Sequence, residues 1–346
     1  MIMSRVLNIL HQSNDMYAMV CATSIVSLLE NNQHLDEVNI YYVGYKISRE
    51  NISSLEKLVS KYSNAKFIFI DAQKYHDQLV DMGVTSWRGL YITWLKLLVI
   101  NDLQINTDRI LYINAHTIVN APLDELIDID LEDNVMGLSY DCLLNDHKST
   151  IGLKPEDGYY NCGVMLINHK KWLSENIDLE VRESLKKKSN YVIVDQDFCN
   201  VIFKDRILLL DSTYNYSSAY YGYNLKGLLK VNNLKPAYFY TYENLKSNYN
   251  SPKIIHALFG ITGKPWEQGN KHPQKLLWRK YIDMTPWKDA MMPVAKYNIN
   301  WLLYDILPQG LLLRLYKFAV KSKYGKKTRN KFMVMVFDLF TPQKGT

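Results

Sequence analysis

Short apolar segments rich in β-branched and aromatic residues alternate along the chain with stretches of helical periodicity. Two such segments are Val6–Leu10 and Val38–Val43, and the intervening Tyr17–Asn31 carries apolar residues spaced three and four apart, which predicts strand, helix, strand. Lys66–Ile70 and Arg109–Ile113 predict further buried strands. This alternation is typical of a parallel sheet with helices on both faces, and ligands bind such sheets beyond the carboxyl ends of the strands.

The second half of the chain is less regular. Val164–Ile167 and Ile207–Leu210 predict two more strands, while Lys170–Lys188 and Asp195–Phe203 predict helices. Residues 212–250 are rich in Tyr and Asn and have little periodicity, which predicts a loop-rich cover over a site.

Composition excludes several classes of protein. With 346 residues, 47% hydrophobic and 22% charged, the chain is neither disordered nor fibrous. The four cysteines, at positions 21, 142, 162 and 199, have no metal-binding spacing, so we expect free thiols in a reducing compartment. The first ten residues lack the pattern of a signal peptide, and no window has the roughly 18 apolar residues of a spanning helix. These features predict a cytoplasmic protein, soluble or peripheral on the inner face of the cell membrane.

Positive charge is concentrated near the carboxyl terminus. Eight of the 41 basic residues lie in Arg314–Lys331, which has no acidic residue. The rest of the chain has 33 basic and 35 acidic residues. A helix over Leu311–Lys323 would gather Arg314, Lys317 and Lys321 on one side, which predicts a basic amphipathic helix on an anionic membrane. The alternative is a helix packed on the main domain with a solvated lysine face. No nucleic-acid-binding fold accompanies the basic stretch, so no nucleic-acid partner is predicted.

Residues 109–119, RILYINAHTIV, form a buried strand that ends in two polar side chains two residues apart, Asn114 and His116. Alternate strand residues point the same way, so both can reach one ligand. Three later segments follow in order: DGYYNCGVMLIN at 157–168, DQD at 195–197, and His256 followed by Gly260 and KPW at 264–266.

These four segments together resemble glycosyltransferase family 8, which includes bacterial lipopolysaccharide galactosyltransferases and glycogenin. The family carries LYLDADV where this chain has LYINAHT, and its two aspartates bind a divalent metal that holds the diphosphate of a nucleotide sugar. A weaker match, QSNDMY at 12–17, would place Tyr17 against a uracil ring and Asn14 at the base edge.

The basic amphipathic pattern of the tail predicts a helical, membrane-associating region in residues 271–346. For residues 1–270 the resemblance implies a GT-A type, Rossmann-like mixed α/β sheet. It implies catalytic roles for Gln196 and Asp195 and acceptor contacts for Asp141 and Trp266. Metal ligands would be Asn114, His116 and His256. Donor contacts would come from Gln12, Asn14, Tyr17, Lys96, Ala115, Asn161, Cys162, Gly163, Gly260 and Lys264. In relatives an arginine lies near the diphosphate, and the corresponding position in this chain is Trp94. Arg88, in the preceding turn, would take the place of that arginine.

The implied activity is a retaining transfer of a hexose, galactose or glucose, from a UDP-sugar to a saccharide or glycolipid hydroxyl in cell-surface polysaccharide or lipooligosaccharide synthesis. An inert relative that binds a nucleotide or partners another glycosyltransferase is the alternative. The implied cofactor is Mn²⁺ or Mg²⁺, but replacing two carboxylates with an amide and an imidazole weakens such a site. Three outcomes stay open: a metal held mainly by the diphosphate, a metal-free site with His116, His256 and Lys264 as cations, or an inactive site.

Several of these residues also have purely structural interpretations. Asp195 and Asp197 can cap the helix that follows them, and Cys162 can be a packing residue. Asn114 and His116 can be ordinary polar groups at a strand end, and Lys264 a solvated loop charge. The joint order of the segments favours the functional interpretation.

Overall fold

The computed structural model describes residues 4–87, 89–258, 262–291 and 299–324. Within these ranges the strands are β1 (Val6–Asn14), β2 (Glu37–Tyr45), β3 (Ala65–Asp71), β4 (Arg109–Ile113), β5 (Thr117–Val119), β6 (Met136–Tyr140), β7 (Tyr160–Asn168), β8 (Ile207–Leu209), β9 (Tyr216–Ser217) and β10 (Ile254–His256).

Helices lie between and after the strands. They are α1 (Ala18–Asn31), α2 (Arg49–Val59), α3 (Gln73–Asp81), α4 (Ile92–Val99), α5 (Asp124–Asp128), α6 (His169–Ser174), α7 (Ile177–Lys187), α8 (Val194–Ile202), α9 (Ala219–Gly222), α10 (Leu225–Val231), α11 (Tyr242–Ser247), α12 (Lys275–Ile282), α13 (Ile299–Ile306) and α14 (Gln309–Tyr324). Short 3-10 helices lie at Asp15–Tyr17, Ile100–Asp102, Asn145–Ile151 and Ser212–Asn215.

The central sheet has seven strands in the order β3-β2-β1-β4-β7-β6-β8. β3, β2, β1 and β4 are parallel, as the alternating pattern predicts, whereas β7 runs antiparallel to both β4 and β6. The expectation of a wholly parallel sheet is therefore wrong, and the mixed sheet that the resemblance implies is confirmed. β6 and β7 follow each other in sequence and can pair antiparallel without a helical crossover.

A second, three-stranded sheet brings a distant part of the chain to the end of β4. β10 pairs antiparallel with β5, which follows β4 after three residues, and His256 lies opposite Thr117. On its other side β10 runs parallel to β9. This pairing places His256 beside Asn114 and His116.

Two apolar clusters, one on each face of the central sheet, hold the fold together. On one face α1 is buried at every position from Ala18 to Leu29. On the other face Trp94 and Leu98 of α4 and Phe198 of α8 pack together. Full burial of one such side chain contributes roughly 1.5–3 kcal/mol to the free energy of folding. The clusters on both faces therefore stabilise the central sheet.

Two predicted segments differ in detail. The predicted helix Lys170–Lys188 is interrupted by Asn176, which adopts a left-handed backbone with φ 52°, a conformation that asparagine tolerates better than most residues. Residues 212–250 contain β9, α9, α10 and α11 rather than mostly loop. These helices are only four to seven residues long, which is too short for a periodic pattern to appear in the sequence.

The region after residue 270 contributes to the core. Trp278 and Ile282 of α12 are buried in the cluster that surrounds α1. In α14, Leu312 and Leu313 are buried and the Tyr316 hydroxyl accepts a hydrogen bond from Asn232. The domain boundary at 270 stays a prediction.

The opposite side of α14 faces outward. Leu311 and Phe318 are 42% and 47% exposed, and Arg314 is exposed between them. Lys317 is half-buried, and the remaining basic residues of the tail lie outside the described side chains. No helix in the described ranges combines the length and the apolar character needed to cross a bilayer.

Candidate functional site

The carboxyl ends of β1 and β4 are joined by a chain of buried hydrogen bonds. Gln12 accepts from the backbone N–H of Lys96 at 2.9 Å and donates to the Tyr112 hydroxyl at 2.9 Å. Tyr112 in turn donates to Asn114 Oδ1 at 2.5 Å. The orientation of the Asn114 amide is thereby fixed, with its oxygen toward Tyr112 and its nitrogen toward β10.

The three predicted metal ligands do come together, but they contact one another. Asn114 Nδ2 lies 3.3 Å from His256 Nε2, and His256 Nδ1 lies 2.9 Å from Asn215 Oδ1. The rings of His116 and His256 stack with centroids 4.7 Å apart and planes at 15°. The lone pair of His256 Nε2 and the oxygen of Asn114 are thus already engaged by protein donors.

Both imidazoles are neutral. Burial, and to a lesser degree the charge of Lys264, lowers the pKa of His116 to about 4. Burial and the neighbouring His116 lower the pKa of His256 well below its ordinary value. The cationic histidines that the sequence left open are therefore wrong for this arrangement, because two buried, stacked rings cannot both carry charge.

This donor set does not fit a resident divalent cation. Mg²⁺ and Mn²⁺ prefer oxygen ligands, chiefly carboxylates, and the one side-chain oxygen here, Asn114 Oδ1, accepts from Tyr112. Within the part of the chain that the structure describes, no three His, Cys, Asp or Glu side chains gather as a metal site.

A buried ion pair lies beside this cluster. Lys96 Nζ is 2.5 Å from Asp195 Oδ2, and the two side chains are 3% and 11% exposed. Lys96 Nζ also lies 4.6 Å from the centre of the Tyr112 ring. Burial acts to lower the pKa of Lys96, but the Asp195 carboxylate outweighs it and raises that pKa, so Lys96 is a permanent cation.

Lys96 is a basic residue of α4 two positions after Trp94, where the resemblance led us to expect an arginine. Trp94 is fully buried, and its ring N–H donates to the carbonyl of Thr85 at 2.9 Å. The expected placement of residue 94 at the site is therefore wrong, because its side chain belongs to the core under α4. Arg88, the predicted substitute, lies outside the described residues, as does Gly260.

Gln196 follows Asp195 at the start of α8 and has all three of its polar positions engaged. Its Nε2 donates to Asp141 Oδ2 and to the Tyr159 hydroxyl, each at 3.1 Å, and its Oε1 accepts from the Cys162 N–H at 3.3 Å. Asp141 also accepts from Asn161 Nδ2 at 2.5 Å, and its burial raises the pKa of its carboxyl.

β7 contributes backbone rather than reactive side chains. The contact with Cys199, together with burial, raises the pKa of the Cys162 thiol far above its usual range, which supports the packing interpretation. At Gly163 a Cβ atom would lie 2.0 Å from His256 Cε1. Glycine at 163 is therefore required by the closeness of the imidazole.

The other end of the site is aromatic. Lys264 Nζ lies 3.2 Å from the Tyr17 hydroxyl and 5.5 Å from the centre of the Trp266 ring. Trp266 is 1% exposed and lies 6.3 Å from the His116 ring, so the acceptor contact predicted for it stays a prediction. Asn14 Oδ1 accepts from the Tyr17 N–H at 3.1 Å and thereby holds Tyr17 at the end of β1.

Ala115 and Asp195 are the remaining predicted site residues. Ala115 is 7% exposed between Asn114 and His116. Asp195 pairs with Lys96 rather than capping α8, whereas Asp197 does accept from the Ile193 N–H at 2.8 Å at the start of that helix. The capping interpretation therefore holds for Asp197 and not for Asp195.

Sequence reasoning missed four polar side chains that organise the site: Tyr112, His147, Tyr159 and Asn215. Tyr112 points to the same face as Asn114, two residues on, which was a usable signal. Tyr159 lies within the segment 157–168 quoted above, but its bond to Asp197 spans 38 residues. His147 and Asn215 reach the site only through contacts across 50 and 54 residues, so no local pattern marks those two.

Comparison with known proteins supports the family. The sequence profile described as Glycosyl transferase family 8 matches residues 8–269. A lipopolysaccharide 1,2-glucosyltransferase of Escherichia coli is 27% identical over 282 residues, covering 79% of this chain and 77% of that protein. A lipopolysaccharide 1,3-galactosyltransferase of Salmonella typhimurium is 22% identical, covering 81% and 80%.

Solved structures show the same fold. The galactosyltransferase LgtC in complex with donor and acceptor sugar analogues has a TM-score of 0.64 at 21% identity, covering 82% of this chain and 99% of that one. The bifunctional glycosyltransferase WbbM has a TM-score of 0.69 at 23% identity. These likenesses identify the central domain as the GT-A type.

The match covers only part of some relatives. The match spans 51% of WbbM, and a Haemophilus influenzae relative that is 28% identical over 225 residues is matched over 64% of its length. The family profile nevertheless covers well over half of this sequence, from β1 to the loop before α12. The chain belongs to glycosyl transferase family 8.

Proposed function

We propose that the protein transfers a hexose, glucose or galactose, from a UDP-sugar to a hydroxyl of a saccharide or glycolipid in the synthesis of a surface glycan, with retention of configuration. The observation that carries the proposal is that three polar groups meet at the ends of neighbouring strands. The Lys96–Asp195 pair is joined to β1 through Gln12, Gln196 is bonded to Cys162 on β7, and Lys264 contacts Tyr17 just after β1. Lipopolysaccharide glucosyl- and galactosyltransferases among the relatives support the substrate class.

The electrostatics of the site suit a diphosphate leaving group. Breaking the sugar–phosphate bond develops negative charge, and fixed cations near the leaving oxygen stabilise it. Lys96 and Lys264 both act to lower the pKa of His116, so both are within electrostatic reach of that ring. Lys96, which is paired with Asp195, and Lys264, which lies 3.8 Å from Glu267, are therefore the two basic side chains proposed to contact the diphosphate.

We propose that Tyr17 binds the base of the nucleotide. Its ring lies edge-on to Trp266, with centroids 6.2 Å apart, and Lys264 holds its hydroxyl. A braced aromatic side chain offers one face to a planar base. Selectivity for uracil would come from the amide of Asn14, and calorimetry with UDP and GDP tests it: equal affinities would contradict this placement.

The arrangement around Asn114 supports a reaction that does not depend on a divalent metal. Its amide is bonded on both sides within the protein, and its neighbours are neutral. The activity is expected to survive EDTA, and the double change Asn114→Asp with His116→Asp is expected to introduce dependence on Mn²⁺. Complete loss in EDTA with recovery only in Mn²⁺ would contradict this part of the proposal.

An inert, nucleotide-binding relative is the second candidate, favoured by the closed contact between Asn114 and His256. UDP release from UDP-galactose and UDP-glucose, with and without a lipooligosaccharide acceptor, separates the two. Lys264→Met is expected to lower kcat about 100-fold, a magnitude typical of losing one group that stabilises developing charge. Lys271→Met is the matched control, because Lys271 pairs with Asp305 at the surface, 43% exposed. Tight UDP binding without any UDP release would favour the inert candidate.

The outward side of α14 supports attachment to an anionic membrane. Leu311 and Phe318 are exposed apolar residues, Arg314 lies between them, and the sequence beyond is basic. Apolar residues can enter the interface while the basic ones attract anionic lipid. We place the protein on the inner face of the cell membrane.

A further inference from the structure

Behind Gln196, a group of buried polar side chains converges on one carboxylate oxygen. Asp197 Oδ1 receives the Tyr159 hydroxyl at 2.6 Å and His147 Nε2 at 2.7 Å. Both side chains of the His147–Asp197 pair are at most 1% exposed, and Tyr159 is 4% exposed. The His147 and Tyr159 rings meet at 80° with centroids 5.6 Å apart. None of these groups belongs to the set assigned to the donor.

Hydrogen-bond directions in this group follow from chemistry. A carboxylate only accepts, so the one hydroxyl hydrogen of Tyr159 goes to Asp197. The Tyr159 oxygen is then left as an acceptor, and Gln196 Nε2 fills it at 3.1 Å. The second Nε2 hydrogen goes to Asp141. Both donors of the Gln196 amide are therefore assigned, and its oxygen must face the Cys162 N–H on β7.

We infer that Tyr159, Asp197 and His147 are positioning residues that hold the Gln196 amide in the one orientation the transfer requires, an inference that rests on the proposed function. A free amide can rotate by 180° and exchange oxygen for nitrogen at the same site. That exchange would turn the amide nitrogen toward the Cys162 N–H, donor against donor. Tyr159 opposes it together with Asp141, because the Tyr159 oxygen accepts and cannot donate to Gln196 while its hydrogen is bonded to Asp197.

Helix capping alone does not account for the group. Asp197 Oδ2 caps α8 by accepting from the Ile193 N–H, and this needs neither Tyr159 nor His147. Burying a phenol, an imidazole and a carboxylate together is costly unless every hydrogen bond is made, and an apolar packing of the same shape would stabilise the fold as well. The second oxygen, Oδ1, is used to orient side chains.

The test is a double-mutant cycle between Tyr159→Phe and Gln196→Ala. Tyr159→Phe removes one oxygen and leaves the ring and the His147–Asp197 bond in place. We expect it to lower kcat about tenfold, the effect of one hydrogen bond to a positioned group, with the donor KM changed less than about twofold. In the Gln196→Ala background the same change should alter kcat less than about twofold, since the residue it positions is gone.

Tyr75→Phe is the matched control. Tyr75 is 2% exposed and donates to Asp102 at 2.7 Å, on α3 away from the site. It loses a hydrogen bond from a buried tyrosine to a carboxylate that is 44% exposed, so it should lower Tm by no more than Tyr159→Phe does and leave kcat unchanged.

The outcomes separate the two proposals. Full activity of Gln196→Ala would refute the role given to Gln196 in the proposed function. A tenfold effect of Tyr159→Phe in both backgrounds would refute the positioning role while leaving that function intact. If the activity of Gln196→Ala is too low to measure, the single variant Tyr159→Phe decides whether Tyr159 has a positioning role. A fall in kcat at constant donor KM, with the variant still folded at the assay temperature, supports positioning, and unchanged kcat or a lower donor affinity overturns it.

Discussion

Replacing Lys96 with methionine tests how much the buried ion pair matters to the fold. Methionine keeps the length of the side chain and removes the charge. Asp195 then stays almost buried without the cation that lies 2.5 Å from it. Removing one partner of a buried pair typically costs about 3–5 kcal/mol, because the remaining charge is desolvated and unpaired. We expect the free energy of unfolding of Lys96→Met to fall by that amount.

The matched control is Lys74→Met. Lys74 lies 2.7 Å from Asp102, nearly the same distance, but the two side chains are 60% and 44% exposed. Exposed pairs contribute less than about 1 kcal/mol, so this change should cost that much at most. Urea denaturation followed by circular dichroism measures both variants. Equal losses for the two would refute the reasoning, since burial would then not decide the energy.

Three further predictions follow from the same structure. Burial lowers the pKa of His11 and of His272 from 6.5 to about 4. Between these two pH values the histidines are protonated in the unfolded chain but not in the folded chain. The free energy of unfolding should fall as pH drops from about 6.5 to about 4, by up to about 3 kcal/mol for each histidine, and a flat urea-denaturation profile in this window would contradict it. Gly163→Ala should abolish UDP release and lower Tm because its Cβ would lie 2.0 Å from His256, whereas wild-type values for both would show that β7 can shift. Arg314→Glu should weaken sedimentation with anionic vesicles by at least about fivefold at low salt, since each basic residue near the surface contributes about 1 kcal/mol; unchanged binding would show that α14 only packs on the domain.

Strands were the most predictable part of the fold. β4 is Arg109–Ile113, as the sequence indicates, because its apolar run ends at Asn114. β1 is longer than predicted and continues through Asn14, with His11, Gln12 and Ser13 buried. Those polar residues belong to the strand because β2 pairs with β1 along its whole length. Such pairing cannot be predicted from the hydrophobicity of a short sequence window.

The candidate site was predictable as a set of residues but not as a set of bonds. Family-like spacing pointed to Asn114, His116 and His256 together, and the structure brings them together. The sequence could not show that Tyr112 would take the oxygen of Asn114 or that burial would keep the imidazoles neutral. Both depend on side chains that meet only after the two sheets have formed.

The pairing of β10 with β5 has a consequence for synthesis on the ribosome. β4 and β5 are made early, but β10, which pairs with β5 in the small sheet, follows about 140 residues later, as the contact between Asn114 and His256 illustrates. Contacts so distant in sequence form late and slowly. A nascent chain can fold β1 to β4 against α1 while the edge of β5 is still unpaired, and an unpaired strand edge is open to wrong partners. The proposed donor site therefore forms only after synthesis has passed Trp266, so binding of the nucleotide reports that β10 and Trp266 have been made and have joined the site.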